Sequence, residues 1–281
     1  MESLLRKIAE NHGLNIQSHH RLFGGDINTV VLLECANEKI VAKINSEADY
    51  PRMFSAERQG LELLGQTNTL RIPKVIGHGV IEDDSFLLLE YIPSAARKND
   101  FWIDFGQNLA RLHKHTRDSF GLDIDNYIGS LPQPNSSATT PTDFYITQRL
   151  EPQFKMAQDS GKLSFETDGF YKTVSEIIPD EPPALIHGDL WNGNYMVDIK
   201  GEPVLIDPAV AYSIREMDLG MMQLFGGFPE EVFSAYNEVY PLVSEWRERT
   251  SLWQLYYLLV HLNLFGSGYL GQVKSAIAKY S

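Results

Sequence analysis

A chain of 281 residues with 43% hydrophobic and 22% charged residues has the composition of a globular protein with a sizeable core, enough for one large domain or two lobes around a cleft. The formal charge of -13 argues against nucleic-acid binding, which needs a basic surface, and it permits a cationic substrate more readily than a strongly acidic one. No apolar run reaches the roughly 18 residues of a membrane span, the start MESLLRKIAENHGL holds no apolar signal segment, and the lone Cys35 excludes an internal disulfide and a cysteine-rich metal site, which fits a reducing cytoplasm.

Residues 20–44 read as strand, turn and strand: HRLFGGDIN supplies a glycine turn, and TVVLLE and KIVAKI are β-rich runs about a short polar turn at Ala36–Glu38. Asp49 or Ser55 can start the next helix, in which SAERQGLELLG places apolar residues at helical spacing up to Gly65. A proline-marked strand over Ile72–Gly79 and the buried strand FLLLEYI complete a small α+β lobe near Tyr91, with Pro93 and Ser94 as the hinge. The predicted lobes are therefore 1–92 and 93–281.

The second lobe reads as mostly helical. Phe101, Phe105, Asn108–Leu109 and Leu112 mark one face of a helix over about 100–116, with Asp100 as its N-cap. Residues 121–142 form a long polar, proline-bearing stretch, a length of loop that is often functional. Helices are predicted over about 143–160 and 165–179, then a hairpin about Lys200-Gly201, then helices broken at Gly226-Gly227, Pro229, Pro241 and Gly266–Gly268.

The chemistry concentrates in HGDLWNGN and, thirteen residues beyond its last position, the aspartate of LIDPA. A hydroxyl that attacks a phosphoryl group needs a carboxylate to orient it and take its proton, and Mg²⁺ on a triphosphate prefers carboxylate and amide oxygens. Asp189, in a turn after the apolar run Ala184–Ile186, suits the first task; Asn194 and Asp207, at the two ends of a hairpin, suit the second. His187 is expected to buttress the turn. Each residue alone reads as an ordinary cap or turn residue; the three together are far more specific.

An inward-facing Lys43 on its strand would hold phosphates if an anion fixed it, and Glu57 on the following helix is the candidate. Gly24 and Gly25 can let backbone N–H groups approach phosphates, although no Walker loop is present. Glu90, Tyr91 and Ile92 end the first lobe, where backbone groups can receive the adenine edge.

Together GGDIN, VAKIN, MFSAERQGLELL, FLLLEYI, YIGSLPQPN, HGDLWNGN, LIDPAVAYSIREMDLGMMQLFGG and HLNLFGSGYL resemble the fructosamine kinase, or ketosamine-3-kinase, family over about 20–279. The resemblance implies an α+β, bilobal protein-kinase-like fold of the aminoglycoside-phosphotransferase type, with a small antiparallel-sheet N-lobe and a larger, mostly helical C-lobe. It implies transfer of phosphate from ATP, with Mg²⁺, to the C3 hydroxyl of ketosamines, either small molecules or glycated protein lysines. The runner-up is an aminoglycoside, choline or other small-molecule kinase. A monomer without nucleic-acid or membrane partners is expected.

Carried onto this chain, the resemblance makes Asp189 the base, Asn194 and Asp207 the metal ligands, Lys43 and Glu57 the phosphate-holding pair, and Asp218 a structural carboxylate near the turn. Sugar contacts would come from Tyr127, Gln133, Asn135, Arg149, Trp191, Glu216, His261 and Asn263. Two departures stand out. Asp26 occupies the place where some members carry a redox-active cysteine. LIDPA puts Pro208 after the metal aspartate, so no phenylalanine switch of the protein-kinase kind is expected.

Overall fold

The computed structural model describes residues 1–22 and 27–281. The expected phosphate loop at Gly24 and Gly25 lies outside the described residues. Two compact units are formed: Met1–Lys98 with Met196–Ile206, and Asn99–Tyr195 with Asp207–Ser281. The first unit thus extends beyond the expected boundary at Ile92 to Lys98 and includes the hairpin segment 196–206.

The first unit opens with helix α1 (Glu2–His12), which no sequence signal had singled out. Leu4, Leu5 and Ile8 fall on one helical face and are buried; the helix stops at Gly13, whose φ of 66° is the left-handed value glycine takes without strain. Strands β1 (Ile16–Leu22), β2 (Thr29–Cys35) and β3 (Lys39–Ser46) precede helix α2 (Met53–Gln66); β4 (Val75–Ile81) and β5 (Asp84–Glu90) follow it. The sheet order is β1-β2-β3-β5-β4, with all neighbours antiparallel.

Alternation along β3 sorts its side chains between the two faces. Ile40, Ala42 and Ile44 join Val31, Leu33, Phe86, Leu88 and the apolar face of α1 in one core. Lys43 lies between them in sequence and so faces the other side, where α2 supplies Glu57. Helix α2 starts at Met53, after Arg52 in a left-handed conformation (φ 63°), between the two expected starts.

The second unit contains α3 (Phe101–His113), the short hairpin β6 (Asn126–Ile128) and β7 (Leu131–Gln133), and α4 (Pro141–Phe144), which runs on through a π-helical stretch (Tyr145–Leu150) into α5 (Glu151–Asp159). Then come α6 (Asp168–Ile177), β8 (Ala184–Ile186), β9 (Tyr195–Val197), β10 (Pro203–Leu205) and β11 (Ala211–Ser213), the β9–β10 hairpin passing through the first unit. Helices α7 (Glu216–Leu224), α8 (Glu230–Val239), α9 (Trp246–Phe265) and α10 (Leu270–Ala278) complete the chain. Asp100 precedes α3 but caps it only through its backbone carbonyl, which accepts the Asp104 N–H. The predicted loop 121–142 is partly ordered by the β6–β7 hairpin and by Thr140, whose hydroxyl accepts the Asp143 N–H at the start of α4.

Helix α9 is apolar on nearly all sides, as a helix at the centre of a unit must be. Leu252, Trp253, Leu255, Tyr256, Tyr257, Leu259 and Leu262 join residues of α5, α7, α10 and β8 in the core. Among the described residues, no helix is long and apolar enough to cross a membrane. The architecture is the expected bilobal α+β fold, with a small antiparallel sheet in one lobe and helices dominating the other.

Candidate active site

The turn that carries Asp189 leaves β8, which pairs with β11 through Ala211–Ile186, Tyr212–Leu185 and Ser213–Ala184. Gly188 takes φ 82°, and a Cβ there would lie 2.0 Å from the Ala209 carbonyl oxygen, so both conformation and close approach demand glycine. Asp218, in the first turn of α7, accepts the His187 N–H and the Gly188 N–H, each at 2.8 Å. The Ala209 N–H bonds the His187 carbonyl, and the Tyr257 hydroxyl of α9 bonds the Gly188 carbonyl at 3.0 Å. The turn is thus held on three sides before any substrate arrives.

Asp218 is fully buried and needs a compensating donor. His113 of α3 supplies it: Nε2 lies 3.2 Å from Asp218 Oδ2, while Nδ1 lies 2.9 Å from the Tyr236 hydroxyl of α8. With Nε2–H donating to the carboxylate, Nδ1 accepts the tyrosine proton. Burial pushes the Asp218 carboxyl up, but the hydrogen bonds from His113 and from the Gly188 N–H oppose it, and the group is held below its ordinary value. His187 is itself fully buried, and its Nδ1 accepts the Asp189 N–H at 3.3 Å. Both residues hydrogen-bond the backbone of the turn.

Asn194 donates its side-chain N–H to the Asp189 carbonyl at 2.8 Å and to Asp189 Oδ2 at 3.0 Å, and it lies 3.4 Å from the Asp207 carbonyl. The three residues chosen from the sequence are therefore brought together. Enclosure by protein pushes the Asp189 carboxyl up to about 7; the Asn194 bond opposes this, and the charges of Asp207 and Asp218 add to it. Asp207 adopts φ 53°, a left-handed value uncommon for aspartate and, ahead of proline, a conformation the surroundings must impose.

The Asn194 amide nitrogen is committed to Asp189, so its oxygen is the atom it can offer a metal. An amide oxygen and a carboxylate such as that of Asp207 are hard donors of the kind Mg²⁺ takes beside phosphate oxygens and water. Among the described residues no group of three or more His, Cys, Asp or Glu side chains is arranged for a metal.

In the first unit, the buried Lys43 ammonium donates to Glu57 Oε1 at 2.6 Å, so the predicted strand–helix pair is made. Glu90 turns its carboxylate to Arg71 Nη2 at 2.6 Å, and its N–H bonds the Lys74 carbonyl. Tyr91 and Ile92 follow it, the former half-buried and the latter buried. Arg71, which sequence reasoning missed, also donates from Nη1 to Asp198 at 2.6 Å. Asp198 closes the β9–β10 turn by accepting the Lys200 and Glu202 N–H groups. One guanidinium therefore ties the end of β5 to the hairpin whose two ends lead to Asn194 and Asp207.

Several residues expected to face the sugar stand in the interior instead. Arg149 donates to the Pro134 carbonyl and to Asn135 Oδ1; Asn135 donates to Asn126, which also accepts from Gln133. Gln133 accepts the Tyr256 hydroxyl at 2.6 Å and donates to the Ala209 carbonyl, while Asn126 donates to the Val210 carbonyl. This network pins the backbone two and three residues after Asp207. Glu216 is spent on Arg249 and the Trp253 indole N–H, while Asn263 donates its amide to Gln153 of α5 and keeps a buried Oδ1 without a hydrogen bond among the described residues. At 8% exposure or less, these side chains serve buried backbone and buried charge.

Trp191, His261 and Tyr127 remain at least partly open to solvent. The Trp191 indole folds over Gly193, where a Cβ would come within 2.3 Å of the ring.

The fold alone is shared with aminoglycoside phosphotransferases: aminoglycoside phosphotransferase APH(4)-Ia matches at TM-score 0.63 with 15% identity, covering 100% of this chain and 99% of that one. Much nearer are crystal structures of candidate fructosamine-3-kinases from Haemophilus somnus (TM-score 0.88, 30% identity, 98% of this chain and 95% of that one) and Thermobifida fusca (0.86, 33%, 100% and 99%). A probable ketoamine kinase of Synechocystis sp. is 36% identical over 98% of this chain and 95% of the relative. Residues 1–281 match the family model described as fructosamine kinase. The chain belongs to the fructosamine kinase family, and it is an ATP-dependent kinase.

Proposed function

We propose that this enzyme phosphorylates the C3 hydroxyl of ketosamines, free or on protein lysines, in the cytoplasm. The observation that carries the reading is the Asn194 side chain bonded to the Asp189 carboxylate, in a turn locked by Asp218. Asn194 occupies Asp189 Oδ2, so Oδ1 is the atom offered to the acceptor hydroxyl. The acceptor oxygen gains a bond to the γ-phosphorus, the bond from that phosphorus to the β–γ bridging oxygen breaks, and the hydroxyl proton passes to Asp189. The transition state is loose, so placement outweighs basicity. Lys43, held by Glu57, binds phosphate oxygens, and residues 90–92 receive the adenine edge. Asn194 and Asp207 would hold Mg²⁺, which neutralises charge on the phosphates. The phosphoester at C3 makes the ketosamine prone to release its amine.

The test is MgATP-dependent phosphorylation of ribulosyl-lysine, erythrulosyl-lysine and fructosyl-lysine, with an aminoglycoside and choline as contrast acceptors. Mass spectrometry locates the phosphate. A C3 phosphate on at least one ketosamine, absent with Asp189→Asn, is expected. A folded enzyme that binds MgATP but modifies none of the three sugars would move the acceptor to another small molecule.

A further inference from the structure

Four rings that the chemistry above does not use gather in the second unit. The His261 ring lies 5.0 Å from Phe225, 5.4 Å from Phe265 and 5.0 Å from Tyr269, centroid to centroid. Phe265 is 56% exposed and Phe225 40%, an unusual outlay of large apolar surface. The group is joined to the catalytic turn twice over. Phe225 meets the Trp191 indole at 6.3 Å, and Trp191 follows Asp189 by two residues. Tyr257, bonded to the Gly188 carbonyl, precedes His261 by one turn of α9, an advance of about 6 Å.

His261 adds a polar atom of defined character. Its Nδ1 lies 2.8 Å from the Tyr257 carbonyl, which can only accept, so Nδ1 carries the hydrogen and Nε2 presents a lone pair. Burial also lowers its pKa, against the opposing bond to the Tyr257 carbonyl. Aromatic faces around a bare nitrogen lone pair attract a cation that carries N–H groups. A ketosamine has such a cation: its secondary amine is protonated near neutral pH. The amine nitrogen stands three single bonds from C3 and four from its hydroxyl oxygen, bonds of about 1.5 Å each, a span of roughly 5 Å when extended and of the same order as the single helical turn between Tyr257 and His261.

We propose that Phe225, His261, Phe265 and Tyr269 form the seat for the protonated amine of the acceptor, with His261 Nε2 accepting an ammonium N–H. This deepens, and rests on, the ketosamine reading. It makes the amine a recognised group and not a passive substituent.

The experiment compares two acceptors with the same ribulose unit, one N-alkylated and cationic, the other N-acylated and neutral. With Phe265→Leu, KM for the cationic acceptor rises about twofold to thirtyfold, the range of one cation–π contact, while KM for the neutral acceptor and for MgATP holds. Phe265→Trp restores the preference. His261→Leu behaves like Phe265→Leu, and His261→Gln, which keeps an acceptor oxygen, recovers part of the loss. Equal KM values for the two acceptors in the wild-type enzyme, or equal losses for both in the variants, would overturn the amine seat and leave the ketosamine reading intact. No turnover of either acceptor by an enzyme that binds MgATP would remove both.

Discussion

Asp218→Asn isolates what holds the catalytic turn. The substitution keeps the shape of the side chain and removes its charge. Asp218 now serves three donors: the His187 and Gly188 N–H groups at 2.8 Å each and His113 Nε2 at 3.2 Å. An amide has one acceptor oxygen, so its NH₂ must face at least one of these donors. A buried donor left without a partner costs about 1–3 kcal/mol, and bonds to a charged acceptor are worth about 1.5–3 each. A loss of about 3–5 kcal/mol is therefore expected, a large share of the roughly 5–15 kcal/mol that holds an ordinary domain. Chemical denaturation measures the total. Hydrogen exchange at the His187 and Gly188 amides reports whether the loss is local. A displacement of Asp189 by about 1 Å costs on the order of 100-fold in turnover, so kcat should fall while KM for MgATP stays nearly constant. A loss below about 1 kcal/mol with normal turnover would refute the assignment. The pH dependence has a definite sign. The folded-state pKa of Asp218 is depressed, so its stabilisation is complete above its ordinary value of 3.8 and is lost as pH falls from there through the lower folded value. The acid side of the stability profile should flatten in Asp218→Asn.

Asp189→Asn should cut turnover by about 10²–10⁴-fold and yet raise stability in EDTA at pH 8. The carboxyl is raised from 3.8 to about 7, so ionising it costs stability as pH climbs through that window; after discounting for partial exposure the gain is about 1–3 kcal/mol, vanishing near pH 4, and a melting curve unchanged at pH 8 would count against the enclosure of this group. Lys43→Met should destabilise by about 3–5 kcal/mol because Glu57 is left in the interior; Lys43→Met with Glu57→Leu should recover much of that stability but not MgATP binding, whereas recovery of binding by the double variant would exclude Lys43 as the phosphate-holding group. Gly188→Ala forces a Cβ to within 2.0 Å of a carbonyl oxygen at φ 82°, so turnover should collapse; a variant as active as the parent would show that the turn can relax. Gln133→Leu breaks the bond from Tyr256 and frees the Ala209 carbonyl, and it should weaken the apparent affinity for Mg²⁺ in turnover assays while leaving KM for the acceptor in place; the reverse pattern would return Gln133 to the sugar.

Much of the fold was legible because periodicity is a local property. KIVAKI alternates, SAERQGLELLG repeats at helical spacing, and HGDLWNGN places its polar residues in a turn after an apolar strand. The Lys43–Glu57 pair could be read for the same reason: alternation along one strand puts the lysine on the face opposite the α1 core, and the next helix is the first element able to answer it. Helix α1 escaped because its three buried residues are diluted by charged ones over 11 residues. The hairpin 196–206 was legible as a hairpin, but its membership in the first unit was not, since that depends on Arg71, more than a hundred positions earlier.

The interior position of Gln133, Asn135, Arg149 and Glu216 has a common physical cause. A sugar and a buried backbone ask for the same groups, namely amides, carboxylates and guanidinium, because both present hydroxyl-like or peptide dipoles that must be satisfied away from water. Sequence shows that such groups are concentrated near the catalytic segments, but not which of the two demands they meet. The folded chain answers through connectivity: Arg149, Asn135, Asn126 and Gln133 form one chain of bonds that ends on the carbonyls of Ala209 and Val210, two and three residues beyond Asp207. Asp207 holds a left-handed conformation ahead of a proline, which a flexible segment would abandon. The buried amides supply the constraint that keeps it there, so the long loop 121–142 acts on Asp207 from the interior.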